Sequence, residues 1–277
     1  MNGSPATTLS KLFERPDPLV DMVQAAAALA RIEYPDLQAE PCLDLLDEWA
    51  QRLSSEASPH ESPEASIEAL NRLFFDQLGF RGNEQDYYDP RNSFINDVLE
   101  RRTGIPISLS ALYIELGRRV GMPLFGVGLP AHFMVKYADG EREIFIDPFY
   151  GGEIRDRAGC GSLLNRILGK PATLRDEHFA AIEKRMIVLR MCNNLRTIYL
   201  RRRCYRQAVL VLDAILCLAP DCPEDRRQRA RLNWELGRRK EALADLEAYL
   251  RIRPNAADSE RMRDWSRAIR AQSALRN

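Results

Sequence analysis

The chain has 277 residues, of which 45% are hydrophobic and 29% are charged, and its 40 basic and 40 acidic side chains give a formal net charge of zero. This composition is typical of a globular protein with room for two domains, and it excludes a disordered chain. No apolar run is long enough to span a bilayer, and the first twenty residues lack the pattern of a cleaved signal peptide. We therefore expect a cytoplasmic protein without a membrane partner.

The six cysteines are spread along the chain without a C-x-x-C pair or a neighbouring histidine. Such spacing predicts neither a zinc site nor a disulfide framework, and buried reduced thiols are the expected state. The glycines also form no strand-G-x-G-x-x-G-helix unit for a dinucleotide. The sequence therefore predicts no metal and no cofactor.

Charge is distributed unevenly between the two parts of the chain. Residues 184–277 hold 22 Lys and Arg against 11 Asp and Glu, which leaves 18 against 29 in residues 1–183. The basic part could attract the acidic part, could meet an acidic partner, or could be a solvated helical surface.

The first part of the chain is predicted to be helical. Apolar spacing, caps and breakers predict helices over 18–34, 42–53, 67–80 and 93–102, and a further helix from Pro106 to just before Gly121.

Beyond Gly121 the apolar pattern changes to the alternation of strands, over 125–129, 131–137 and 143–147. Asp139-Gly140 is a strong signal for a two-residue hairpin turn, which pairs 138 with 141 and therefore His132 with Asp147. Directly opposed residues have Cβ atoms roughly 5 Å apart, close enough for a hydrogen bond between imidazole and carboxylate. A register slip of one residue would put the two side chains on opposite faces.

From about residue 184 the sequence is helical and repeats itself. Four pairs of similar residues are each 34 positions apart: Gln207-Ala208 and Glu241-Ala242, Leu212 and Leu246, Leu218 and Ile252, Pro220 and Pro254. A period of this length is typical of tetratricopeptide repeats. We predict two repeats, over 189–222 and 223–256, and a capping helix over 257–273.

A His-Asp pair behind a helix start is similar to the Cys-His-Asp arrangement of acyl transfer, in which the thiol begins the helix and the carboxylate orients the imidazole. The stretch GIPISLSALYIELGRRVGMP, residues 104–123, looks like the matching segment of the transglutaminase-like fold, but the nucleophile position falls at or near Pro106 and holds no cysteine. Ser108 is the nearest hydroxyl, and Cys160 could reach the pocket from the loop after Gly152. The degenerate candidates for catalysis are thus His132, Asp147 and Ser108.

The runs YYDPRNSFINDVLERRTGIPISLSALYIELGRRVGMPLFGVGLPAHFMVKY and IFIDPFYGGEI, followed by MCNNLRTIYLRR and the repeats, resemble the SirB family of bacterial proteins. The resemblance covers the chain from about residue 18. It implies an α+β protein with a transglutaminase-like core of the papain-like cysteine-protease type and a small antiparallel sheet, followed by an all-α tetratricopeptide-repeat domain. His132 matches the histidine of the G-x-P-x-H-F stretch of that family, and Asp147 matches the aspartate of its D-P-F motif.

These observations predict two domains, over 1–183 and 184–277, in a regulatory protein that binds a protein or peptide through its repeats. The absent cysteine favours a protein that is not an enzyme, with the His-Asp pair retained as a polar contact. One alternative is an enzyme of acyl transfer or amide hydrolysis that uses Ser108 or Cys160 with His132 and Asp147. A further alternative is nucleic-acid binding by the basic repeats, in which the run Arg201-Arg202-Arg203 could bind phosphate. This alternative is weaker, because the run lacks interleaved aromatic residues.

Overall fold

The computed structural model describes residues 3–56 and 62–274. Contacts between residues divide it into two units. We refer to Arg15–Met191 as the core unit. The described residues before Arg15, together with those after Met191, form the repeat unit. Among the helices of the described ranges, none combines the length and the apolar character required to cross a membrane.

The core unit begins with helices that lead to a central one. They are α2 (Met22–Ala30), α3 (Glu40–Glu56), α4 (Pro63–Asn71), α5 (Ile95–Arg101) and α6 (Pro106–Arg119), with α1 (Pro5–Leu12) preceding them in the repeat unit. α6 has Pro106 at its first position, and its residues are buried as far as Gly117. Gly121, with a φ of 81°, follows its end. The predicted helix from Pro106 is therefore observed almost residue for residue.

Glu115 ties α2 to α6 inside the core unit, although it is only 1% exposed. Its Oε1 accepts a hydrogen bond of 3.1 Å from the backbone N–H of Met22, at the start of α2. Arg118 and Arg119 approach the same carboxylate at 2.9 Å and 3.3 Å. A buried carboxylate is stable only when it is bonded in this way, so the contact fixes the packing of the two helices.

A five-stranded antiparallel sheet follows α6 in the chain. Its strands are β3 (Leu124–Val127), β4 (Met134–Ala138), β5 (Glu143–Asp147), β6 (Glu153–Arg155) and β7 (Ala181–Ile182), in the order β6-β5-β4-β3-β7. A separate parallel pair joins β1 (Arg81–Gly82) to β2 (Thr103–Gly104). The predicted strands correspond to β3, β4 and β5, whereas the two shortest strands of the sheet carry no sequence pattern of their own.

One face of the sheet packs against α7 (Arg157–Leu168). Val127, Met134 and Phe145 of the sheet form an apolar cluster with Cys160 and Leu164 of this helix. Side chains two residues apart on a strand share a face, so this cluster also sets the face on which Asp147 lies.

Besides α1, the repeat unit consists of consecutive helices joined by short connections. They are α8 (Lys184–Arg201), which begins in the core unit, then α9 (Tyr205–Leu218), α10 (Pro223–Glu235), α11 (Arg239–Ile252) and α12 (Ser259–Ala274). The helices α9 and α11 begin 34 residues apart and also end 34 residues apart.

The two units differ from the predicted ranges 1–183 and 184–277 in two places. The boundary lies within α8 rather than at its start, and α1 belongs to the repeat unit. The physical reason is a set of contacts between α1 and α9, with Leu9 fully buried and the Cys217 thiol 3.1 Å from the Ala6 carbonyl oxygen. No local pattern in the sequence could indicate a contact over 211 positions.

Candidate active site

His132 lies in the connection between β3 and β4, which turns at Pro130 and Ala131. Ala131 has a φ of 57°, a left-handed conformation that few residues other than glycine adopt. Arg190 holds this turn, because its Nη2 donates hydrogen bonds to the carbonyl oxygens of Leu129 at 3.0 Å and His132 at 2.9 Å. The position of the imidazole is therefore set by a residue that is distant in sequence.

Asp147 ends β5 and is completely buried. Its Oδ2 lies 2.9 Å from Nε2 of His132, and its Oδ1 accepts the backbone N–H of Phe149 at 3.2 Å. An ionised carboxylate can only accept, so Nε2 of the ring is the donor, and Nδ1 is the nitrogen that a base mechanism would require. The structure thus brings two of the three predicted site residues together.

The register that joins them differs from the predicted one. Ala138 pairs with Glu143, so the hairpin has a loop of four residues, 139–142, instead of a two-residue turn. Asp139 stabilises the longer loop, since its Oδ1 accepts the N–H groups of Glu141 at 3.0 Å and Arg142 at 2.9 Å.

His132 therefore precedes β4 and is not directly opposite Asp147. The partner of each residue is displaced by two positions relative to the prediction, and a displacement by two leaves every side chain on its original face. Asp147 therefore stays on its predicted face, and the turn before β4 brings His132 to it, so the hydrogen bond forms in spite of the wrong register.

Aromatic rings and an arginine cover the pair. Tyr150 stacks on the imidazole with ring centroids 6.0 Å apart and 27° between the planes, and Phe149 meets it edge-on at 6.2 Å. Nε of Arg155 lies 3.8 Å from Oδ2 of Asp147. His132 is 4% exposed as a result. These three neighbours were not among the predicted site residues. The run P-F-Y-G-G directly after Asp147 is a signal for Phe149 and Tyr150, whereas Arg155 lies beyond it.

Ser108 is the third residue of α6 and is buried. Its hydroxyl donates to the carbonyl oxygen of Asn92 at 2.6 Å and accepts the N–H of Ile105 at 3.1 Å. These bonds close the first turn of the helix, where backbone N–H groups lack partners. Within the described residues, the hydrogen bonds of this hydroxyl go to backbone atoms and not to His132.

Cys160 lies in α7 and not in a loop, which corrects the expectation from the sequence. It is 0% exposed, and its Sγ is 3.7 Å from Sδ of Met134. Burial in this apolar cluster raises the pKa of the thiol to about 11. The thiol is therefore protonated near neutral pH and is a poor nucleophile.

A cleft of about 970 Å³ opens beside the pair. Its wall includes Phe149 and Tyr150 but not His132 or Asp147, so the two rings separate the buried pair from the cleft. The His, Cys, Asp and Glu side chains of residues 3–56 and 62–274 form no group of three that could hold a metal ion.

The profile of the transglutaminase-like superfamily matches residues 40–193 of this chain, which is more than half of its length. The chain belongs to the transglutaminase-like superfamily. A tetratricopeptide-repeat profile matches residues 195–273, so this transglutaminase-like protein has a repeat region after its core, as predicted.

Relatives that align over most of this chain occur in several bacteria. The transglutaminase-like chain is 36% identical to a UPF0162 protein of Xylella fastidiosa over 251 residues, 89% of each chain. It is 32% identical to a UPF0162 protein of Vibrio cholerae over 265 residues, which are 92% of this chain and 95% of the relative. Identity to protein SirB1 of Salmonella typhimurium is 24% over 246 residues, 89% of this chain and 90% of that one. The resemblance to the SirB family is thereby confirmed.

Proposed function

We propose that this chain is a regulatory protein-interaction factor whose repeat unit binds a segment of a partner protein, while its core is a non-catalytic or weakly catalytic scaffold. The observation that carries the proposal is a cleft of about 980 Å³ in the repeat unit, lined by residues of α8, α10 and α12. These are the first helices of successive pairs. Stacked helical repeats present such faces as extended binding surfaces, and the volume of the cleft suits a ligand.

The chemistry of the core supports a scaffold. A serine nucleophile needs a base within hydrogen-bond reach, yet the Ser108 hydroxyl is engaged with Asn92 and Ile105. The Cys160 thiol is protonated and lies in an apolar cluster. The contact of His132 with Asp147 then acts as a satisfied polar contact that holds the end of β5 against the turn before β4.

Photo-crosslinking in cells tests the interaction. A benzophenone amino acid replaces Thr197, which is exposed and lines the cleft, or Arg206, which is exposed on α9 and outside it. We expect a protein adduct from position 197 and none from position 206. Equal adducts from both positions, or none from either, would contradict the proposal.

The scaffold role of the core has a separate test. The native chain and His132→Ala are treated with a fluorophosphonate and with iodoacetamide, and the labelled peptides are identified by mass spectrometry. We expect no label on Ser108 in either protein and no difference between them at Cys160. Labelling of Ser108 that disappears in His132→Ala would establish a nucleophile and overturn the scaffold.

A second candidate is acyl transfer or amide hydrolysis, and the intact bond of 2.9 Å between His132 and Asp147 favours it. This arrangement orients an imidazole as a base requires. The reaction would need the Ser108 hydroxyl to leave its backbone partners and meet Nδ1 of His132. Hydrolysis of an ester by the purified chain, abolished by His132→Ala, is the result that this candidate predicts.

A further inference from the structure

The cleft of the repeat unit, which we call the repeat cleft, is strongly basic. Five arginines line it against two carboxylates. The arginines are Arg196, Arg201, Arg227, Arg231 and Arg261. Guanidinium groups pair with carboxylates through two parallel hydrogen bonds, so a concentration of them favours an acidic ligand.

The carboxylates of the repeat cleft are already neutralised by their neighbours. Asp225 is bonded to Arg196, and Glu224 forms an ion pair with Arg227. Both pairs join side chains within the repeat unit. The acids therefore do not cancel the charge of the remaining arginines.

Two of those arginines are available at the surface. Arg231 is exposed, and the side chain of Arg261 is 75% exposed, with Asp258 at 4.0 Å. At this separation and exposure the pair with Asp258 is weak. Carboxylates of a ligand can therefore pair with these two arginines without displacing a buried bond.

The residues that line the same cleft include apolar ones. Leu200 and Trp265 are half-buried, and Met262 is buried. The Trp265 ring meets Trp234 edge-on, with centroids 6.4 Å apart and an angle of 85°, which fixes its orientation. An oriented ring in a cleft that Leu200 and Met262 also line suits one large apolar side chain of a ligand.

We infer, on the basis of the proposed function, that the partner presents an acidic peptide segment with a large apolar residue at its centre. Its carboxylates pair with Arg231 and Arg261, and its apolar side chain packs on Leu200, Met262 and Trp265. The aromatic content of the repeat cleft favours a peptide over a nucleic acid. Trp265 is the single aromatic residue among those that line the cleft, whereas binding of single strands uses several stacked bases.

Fluorescence anisotropy of the full chain tests this inference. The probes are a fluorescein-labelled peptide of Glu and Asp around a central Leu, its Gln and Asn counterpart, and a labelled single-stranded oligothymidylate. We expect the acidic peptide to bind on the order of tenfold more tightly than its neutral counterpart, with an affinity that falls as salt rises.

Matched variants locate the site. Arg231→Glu and Arg261→Glu are expected to weaken binding of the acidic peptide on the order of tenfold each. Arg206→Glu has the same charge change at an exposed position of α9 outside the repeat cleft, and it should alter binding by no more than about twofold. The three replaced side chains are exposed, so the variants are expected to fold.

The outcomes separate this inference from the proposed function. Equal binding of the acidic and neutral peptides, or an equal effect of Arg206→Glu, would overturn the acidic specificity. Tighter binding of the oligothymidylate, lost in Arg231→Glu, would assign the repeat cleft to nucleic acid. If no probe binds while crosslinking at position 197 still captures a partner, the inference is wrong and the proposed function stands; if both fail, both are wrong.

Discussion

Asp147 connects two parts of the core unit through a single carboxylate. One oxygen accepts a hydrogen bond from the N–H of Phe149 at the start of a tight turn, and the other is hydrogen-bonded to the His132 ring. The residue is completely buried, so each lost bond would leave a polar group without water. The stability of this corner therefore depends on both bonds together.

Asp147→Ala is expected to lower the free energy of unfolding by roughly 3 kcal/mol, because it leaves the His132 ring buried without its acceptor. The double variant with His132→Ala should lose less free energy of unfolding than the two single variants lose together, because the sum counts the loss of the same contact twice. Urea unfolding followed by circular dichroism measures these values. Glu48→Ala, at an exposed position, is the control and should stay within about 0.5 kcal/mol of the native chain. Additive single effects would contradict a direct coupling.

The cysteines should differ in reactivity according to their burial. Cys160 is fully buried with its pKa raised to about 11 by that burial, while Cys204 is half-buried. A raised pKa keeps the thiol protonated at the mildly alkaline pH of alkylation, so Cys160 should resist iodoacetamide in the native chain and react only in denaturant. Cys204 should react in both states. Peptide mapping by mass spectrometry decides the point, and equal native rates at the two cysteines would refute it.

At the scale of elements, two adjacent glycines after β5 allow a matched comparison. Gly151 and Gly152 have φ values of 66° and 78°, but their surroundings differ. A Cβ at Gly151 would meet nothing within 4 Å, whereas one at Gly152 would lie 2.3 Å from Oδ1 of Asn71. Asn71 is itself held by a bond of 2.8 Å from the Tyr113 hydroxyl and cannot easily move.

Gly151→Ala is therefore expected to lower the free energy of unfolding by about 1 kcal/mol, from backbone strain alone. Gly152→Ala should cost roughly 3 kcal/mol or more, because the same strain is added to a clash with a fixed side chain. Thermal and urea unfolding of both variants measure the difference. Equal costs would show that Asn71 relaxes and that the close approach has no influence on stability.

The sequence predicted those elements that have strong local signals. α6 was predicted within a residue because Pro106 suits a first helical turn and Gly121 suits an end. The hairpin register was wrong because the Asp139 side chain bonds two backbone N–H groups and lengthens the loop. α7 was missed because Gly159 and Gly161 weaken its helical pattern.

In the candidate site too, residues with a local signal were predicted and residues that arrive through tertiary contacts were not. His132 and Asp147 could be selected because each is a polar residue beside an apolar strand. Arg190 binds the His132 carbonyl oxygen across 58 positions of sequence, and no periodicity connects the two. A tertiary contact of this kind becomes visible only when the chain is folded.

At the scale of the whole molecule, the repeat unit is assembled from both ends of the chain. Helices in such arrays gain most of their stability from the faces of their neighbours. α1 contacts α9 and buries Leu9 completely. The stability of the repeat unit therefore depends on a residue that precedes the core unit.

Leu9→Ala is expected to destabilise the repeat unit by roughly 2–4 kcal/mol through the cavity that it leaves. Native-state hydrogen exchange should show faster exchange in α9, with β4 and β5 of the core unit unchanged. Leu19→Ala makes the same chemical change at a side chain that is 66% exposed, and it should leave exchange unaltered. A uniform increase in exchange along the chain would contradict a local role for α1.

The pairing of α1 with α9 also sets an order of events on the ribosome. α1 ends at Leu12 and its partner begins at Tyr205. At a translation rate of roughly 5–20 residues per second, the first helix waits on the order of 10–40 s with Leu9 and Phe13 unprotected. The nascent chain thus exposes an apolar segment to chaperones throughout the synthesis of the core unit, and that segment is buried only after α9 has been made.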